Sequence, residues 1–264
     1  MFRRIFMMDC RRCFSPVRIG ITVCILSLIL IFSERDMIRA SSYVTGNDTG
    51  IVQILEHVLQ FDKFKLIIIF LLAGVYTNSF CADDDSHFLR MVLGRTDVTT
   101  YTQSRFLVNV LSIVAVSIAG FLFTTLFLLP SAPIAGSSGA DNSYYSVLAM
   151  EYPLLYIIIM GFQFGMVAAA CSSIGLLFSA FQANKFVSIG LPGFVFFLAV
   201  SYIPSSSVFD VLALVGMTPS FVKSFDGYQT VNLIWGILYP SVVIILCGYL
   251  FYRRLKWRVE NGMV

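Results

Sequence analysis

Residues 152–181 read YPLLYIIIMGFQFGMVAAACSSIGLLFSAF and contain no Asp, Glu, Lys, Arg or His. A helix of that length outreaches the roughly 30 Å hydrocarbon layer of a bilayer, so the stretch predicts a transmembrane span. Five further apolar runs, at residues 19–33, 64–80, 106–129, 186–203 and 231–252, predict five more. A span needs about 20 apolar residues, which leaves the first two runs short. Arg18 below the first, and Lys63 and Lys65 above the second, can snorkel to the headgroups. A removable signal peptide is a poor reading of the first run, because no small-residue cleavage site follows Ser33 and Glu34, Arg35 and Asp36 end it abruptly. Composition agrees: 264 residues that are 58% hydrophobic and 12% charged do not make an ordinary soluble domain. The expected class is an all-α membrane protein of six spans.

The basic residues set the orientation. Arg3, Arg4, Arg11, Arg12 and Arg18 precede the first run, and Arg90, Arg95 and Arg105 separate the second from the third. Lys185 separates the fourth from the fifth, and Arg253, Arg254, Lys256 and Arg258 follow the sixth. The opposite side holds Arg35, Arg39, Lys63, Lys65 and Lys223. Lys and Arg stay in the cytosol, so both termini are expected there, in a cell-membrane protein. The net charge of +3 is absorbed by this topology signal and gives no reason to expect nucleic acid.

Residues 1–16 predict an interfacial amphipathic helix, with Phe2, Ile5, Phe6 and Cys13 on one face and Arg4, Arg11 and Arg12 on the other. Asp9 falls inside the apolar arc and breaks the pattern; a basic tail that only fixes orientation is the alternative. Pro16 marks the break before residues 17–252, the six-span domain, and residues 253–264 form a basic tail. Cys10 and Cys13 have the spacing of metal and redox sites, but no second Cys or His pair accompanies them, and membrane-surface packing is the plainer reading. Neither His57 nor His87 has the company of a metal site, so no metal is expected. No cysteine pair falls in an extracellular loop, and no disulfide framework is expected.

Between the second and third runs, residues 81–105 carry the main candidate site. Asp83, Asp84 and Asp85 are expected to cap a short amphipathic helix that runs crosswise between two spans. Its apolar stripe is Phe88, Leu89, Val92 and Leu93, with Gly94 as a stop and Arg95 beyond it. Thr100 to Gln103 has the pattern of a capping box opening the third span. The crosswise helix either docks on a protein partner or lies passively among headgroups. Three aspartates would be repelled by anionic lipid and attracted by a basic protein surface.

Taken together, Phe80, Asp84, the apolar run from Phe88 to Leu93, Arg95, Tyr101 and Arg105 resemble the membrane (permease) subunits of ABC-type exporters, the two-type permease superfamily. Asp84 stands where a glutamate is frequent and Arg105 where a lysine is frequent. The resemblance implies an interfacial helix, six spans and a cytosolic coupling helix docking into a separate ATP-binding subunit. That partner would carry ATP and Mg, and a second permease subunit, identical or similar, would complete the complex. The docking residues would be Asp83, Asp84, Asp85, His87, Phe88, Arg90 and Arg95, and a helical hairpin at residues 205–230 would close the outer end of the pathway.

The residues favour such a partner on their own terms. No phosphate-binding loop occurs, so the chain has no visible means of hydrolysing ATP and is not expected to be an enzyme by itself. Beyond Lys65 at the mouth of the second run, the six runs hold no ionisable Asp, Glu, Lys, Arg or His from which to build a proton or sodium relay. The expected function is a permease that moves an amphipathic or hydrophobic cargo, peptide, lipid-like or drug-like. A non-transporting sensor or immunity subunit is the alternative, and an intramembrane enzyme is disfavoured by the lack of a catalytic constellation in the spans.

Gly161, Gly165, Ala169 and Ser173 recur every four residues and predict a close helix contact, within the subunit or between subunits. Gly175, and Gly190 and Gly193 around Pro192, are candidate kinks. Outside the membrane, Ile51, Val52, Ile54, Leu55, Val58 and Leu59 predict an amphipathic helix ahead of the second span. Asn47, Asp48 and Thr49 fit a glycosylation triplet with no supporting context. Residues 131–145 read as a flexible link. Glu151, Phe209, Asp210, Phe221 and Asp226 read as surface and interface anchors.

Overall fold

Ten helices make up the regular structure of the described residues, which are 2–35, 38, 50–61, 65–135, 151–202 and 229–262 of a computed structural model. In chain order they are α1 (Phe2–Cys13), α2 (Pro16–Ser33), α3 (Ile51–Phe61), α4 (Lys65–Ala73), α5 (Ser79–Asp85), α6 (Phe88–Leu93), α7 (Val98–Leu128), α8 (Pro153–Ser179), α9 (Lys185–Tyr202) and α10 (Gln229–Glu260). Four helices are long and apolar enough to cross a membrane: Pro16–Ser33, Val98–Leu128, Pro153–Ser179 and, within α10, Ile234–Glu260. By that measure the chain is a multi-pass membrane protein.

The other two expected spans differ. The second run is interrupted: α4 ends at Ala73, residues 74–78 form turns, and the helix restarts at Ser79. The fifth is the shorter apolar helix Lys185–Ala199 within α9. A break in a membrane helix must satisfy its polar groups inside the protein. Here Ser188 donates to the Thr77 carbonyl at 2.9 Å, Thr77 and Ser172 share a hydroxyl contact of 2.5 Å, and Asn109 donates to Ser172 at 3.0 Å. The interruption is therefore pinned to α9, α8 and α7 together.

Buried on most sides, α8 is the axis of the bundle and packs on α7, α9 and α10. Its small-residue face explains how closely α7 approaches. A Cβ placed on Gly165 would stand 2.9 Å from the Val114 Cα, one on Gly161 would stand 3.1 Å from the Ile118 Cα, and Ser117 donates to the Gly161 carbonyl at 2.8 Å. Gly161 and Gly165 are thus spent within the subunit; Ala169 and Ser173 are buried with them, Ser173 donating back to the Ala169 carbonyl. On the far side of α8, α9 meets α4 where Gly193 lies flat against the Phe70 ring.

At the opposite end of the bundle from the aspartates, α3 forms where the apolar pattern predicts it, and all six of its patterned residues are buried. Burying each is worth about 2 kcal/mol relative to water. Its first free N–H groups find carbonyls from the segment after α7: Ile51 donates to Pro133 at 2.9 Å and Val52 to Ile134 at 3.2 Å. Two carboxylates are buried beside it. Glu56 accepts from Tyr156, and Glu34 pairs with His57 at 2.8 Å.

The glycosylation triplet, the greater part of the flexible link, and residues 205–228 of the expected hairpin with Phe209, Asp210, Phe221 and Asp226 lie outside the described residues.

Candidate functional site

Asp83, Asp84 and Asp85 end a helix rather than begin one. Because the broken second run restarts at Ser79, the three aspartates occupy the last turn of α5, and His87, with φ of 55°, turns the chain into α6. Carboxylates at a helix C-terminus oppose the dipole and need cations from elsewhere. Four different elements supply them.

Asp83 is the buried member. One oxygen takes Arg12 of α1 at 3.0 Å; the other takes Arg105 of α7 and the Tyr101 hydroxyl at 3.0 Å. Arg105 also donates to the Tyr76 hydroxyl at 2.6 Å and stands 3.5 Å from Asp9 of α1, whose second oxygen accepts from Ser104 at 2.5 Å. Arg105 is 1% exposed, and its Nε has no hydrogen-bond partner among the described residues. Burial pushes the Asp9 carboxyl above the usual carboxylate range, with Arg105 and the Ser104 hydroxyl opposing that shift. A buried charge is tolerated only when paired and hydrogen-bonded, so this network can exist only with α1, α5 and α7 docked together.

Asp84 reaches outward to Arg258 near the end of α10, at 3.2 Å, and Asp85 pairs with Lys185 at the start of α9, at 2.8 Å. The basic surface that these aspartates meet is the chain's own. The α5 end is consequently fastened to α1, α7, α9 and α10.

Hanging from this knot, α6 buries Leu89 among Phe80, Tyr101 and Phe251, while Arg12 stacks over the Phe88 ring at 4.5 Å. His87, Arg90, Met91 and Arg95 are exposed. Of the seven expected docking residues, His87, Arg90 and Arg95 are exposed, Phe88 is half-buried, and Asp85 is exposed but paired. Asp84 is half-buried and Asp83 is enclosed. Gly94 does end α6, in ordinary right-handed backbone rather than the left-handed form. The expected capping box at Thr100 does not form: α7 begins at Val98 after Asp97, and Thr102 donates to the Val98 carbonyl instead.

Asp9, Arg12, Tyr76, Lys185 and Arg258 complete the cluster without having been singled out for it. One signal for Asp9 was available, its misplacement in the apolar arc of α1. Ile5, Asp9 and Cys13 are that helix's buried stripe, so the face that looked spoiled is the face that docks on α7.

Two cavities flank the site. An apolar one of about 670 Å³ lies between α7 and α10, against Met166 of α8, with Phe106, Leu107, Val110 and Ile244 on its walls. A polar one of about 410 Å³ lies at the α1–α2 elbow and reaches Arg105. Among the described residues no group of three or more His, Cys, Asp or Glu could hold a metal ion. No family model, curated protein or solved structure matches this chain.

Proposed function

We propose that this chain is the transmembrane subunit of an ATP-driven exporter of the ABC type, energised by a separate cytosolic subunit that holds ATP and Mg. The observation that carries the reading is the ion-paired end of α5: a six-residue helix, α6, exposed at Arg90 and Met91, is joined through it to α1, α7, α9 and α10. A push on the exposed side of α6 meets a buried network that cannot open without stranding charge, so it moves the joined helices together. The chain needs such a push from outside, having no phosphate-binding loop of its own.

In this reading α4 and α5 form one interrupted crossing and α9 another, which makes six. Both termini and α6 lie on the cytosolic side, where the excess of Lys and Arg puts them. A second subunit, identical or similar, completes the pathway. The apolar cavity between α7 and α10 favours a hydrophobic or amphipathic cargo over a strongly charged one.

Reconstitution with the ATP-binding subunit tests this. Arg90→Ala with Met91→Ala, both on exposed side chains, should abolish transport-coupled ATPase stimulation while leaving insertion and thermal stability unchanged. Unchanged coupling in the double variant would refute the docking role of α6.

A further inference from the structure

The polar cavity at the α1–α2 elbow borders the ion-pair network and carries more positive charge than its one carboxylate balances. Its wall carries Arg12, Arg18, Arg105, Asn78 and Ser79, against one carboxylate, Asp83. That carboxylate is already spent, one oxygen on Arg12 and the other on Arg105 and Tyr101. The donors are not. The Arg18 guanidinium has no carboxylate partner among the described residues, the buried Ser79 hydroxyl has no hydrogen-bond partner among them, and neither has Nε of Arg105, whose side chain is 1% exposed. Surplus donors around a cavity whose acceptor is saturated call for a ligand that brings acceptor oxygens and negative charge.

The position says where that ligand comes from. Arg18 sits in the first turn of α2, and its neighbours Val17 and Ile21 are 67% and 55% exposed on an apolar helix surface. That surface faces the acyl chains of the bilayer, so the phosphates nearest the cavity are those of the lipids that already cover α2.

The geometry points to a binding site for a phosphate-ester anion at the elbow, supplied by a phospholipid headgroup whose acyl chains lie along α2. Arg18 binds the phosphate oxygens, and Arg12 and Arg105 hold the local potential positive. Occupancy ties α2 to the Asp83 network through a lipid. This inference stands apart from the exporter reading, since it requires only that α2 lie in a bilayer.

The test is lipid retention by the full chain, released from nanodiscs of mixed phosphatidylglycerol and phosphatidylcholine and weighed by native mass spectrometry. Wild type should retain one phosphatidylglycerol per chain. Arg18→Ala should lower that retention about fivefold, the equivalent of about 1 kcal/mol for one basic contact near the surface. Arg3→Ala, an exposed arginine away from the cavity, should leave it unchanged. In a parallel arm, glycerol 3-phosphate is added to lipid-stripped protein in detergent. Arg18-dependent stabilisation by that soluble ester to the same extent as by phosphatidylglycerol would keep the phosphate site and overturn its lipid source. Equal retention by wild type and Arg18→Ala, with no response to the soluble ester, would overturn the site itself.

Discussion

Asp83 and Asp85 are two positions apart and have opposite exposure, which makes them a direct comparison of what an ion pair is worth. Asp83→Asn leaves the buried Arg105 guanidinium without its main counter-charge and is expected to cost about 3–5 kcal/mol. The loss should appear as a lowered Tm and a reduced monodisperse fraction in detergent. Asp85→Asn should leave the Tm unchanged, because Asp85 and Lys185 are both solvent-exposed. Glu56 provides a pH test at the other end of the molecule. Burial raises its carboxyl above the usual range, more than the Tyr156 hydrogen bond lowers it. A raised folded-state value means that the folded protein holds the proton longer than the unfolded chain. Its contribution is therefore complete below the ordinary carboxyl value, about 4.3, and is lost as pH rises through the folded value. Glu56→Gln keeps the acceptor for Tyr156 and removes the titration. It should raise the Tm by about 2–4 °C at pH 8, for roughly 1 kcal/mol, and by much less at pH 4. An equal gain at both values would show that charge is not the cause.

At the scale of elements, the glycine pair in α8 sets the distance to α7. Gly165→Ala would force a methyl against the Val114 backbone, which no rotamer change relieves, and should cost about 1–3 kcal/mol in a thermal melt. Gly190→Ala faces open space in α9 and should stabilise, by up to about 1 kcal/mol. Periodicity made several elements legible in the sequence. The six apolar residues of α3 carry their own 3.6-residue pattern, and the long apolar runs of α7, α8 and α10 need nothing else to be read. The crosswise segment was harder. Its apolar residues from Phe88 to Leu93 do form a helix, but the aspartates before it belong to α5, because the second run breaks at residues 74–78 and restarts. That break is held by hydroxyls of Ser172 and Ser188, about a hundred positions away, and no local pattern encodes such a contact. The same is true of the cations at the α5 end, which come from α1, α7, α9 and α10.

Across the whole molecule, one end of the membrane bundle is gathered at a single point. Arg12, Arg105, Lys185 and Arg258 converge on three consecutive aspartates, and α6 hangs from that point with Arg90 and Met91 outward. The excess of Lys and Arg at this end predicts that it faces the cytosol, so single-cysteine labelling should find position 95 reachable from that side alone. Docking of an ATP-binding subunit on α6 is tested by photo-crosslinking in native membranes from a reactive side chain placed at Met91, with one at Trp235, toward the other end of α10, as control. Position 91 should form an adduct with a polypeptide that binds ATP, and position 235 should form none. Adducts from position 91 to lipid alone, or to that polypeptide from both positions equally, would contradict that docking.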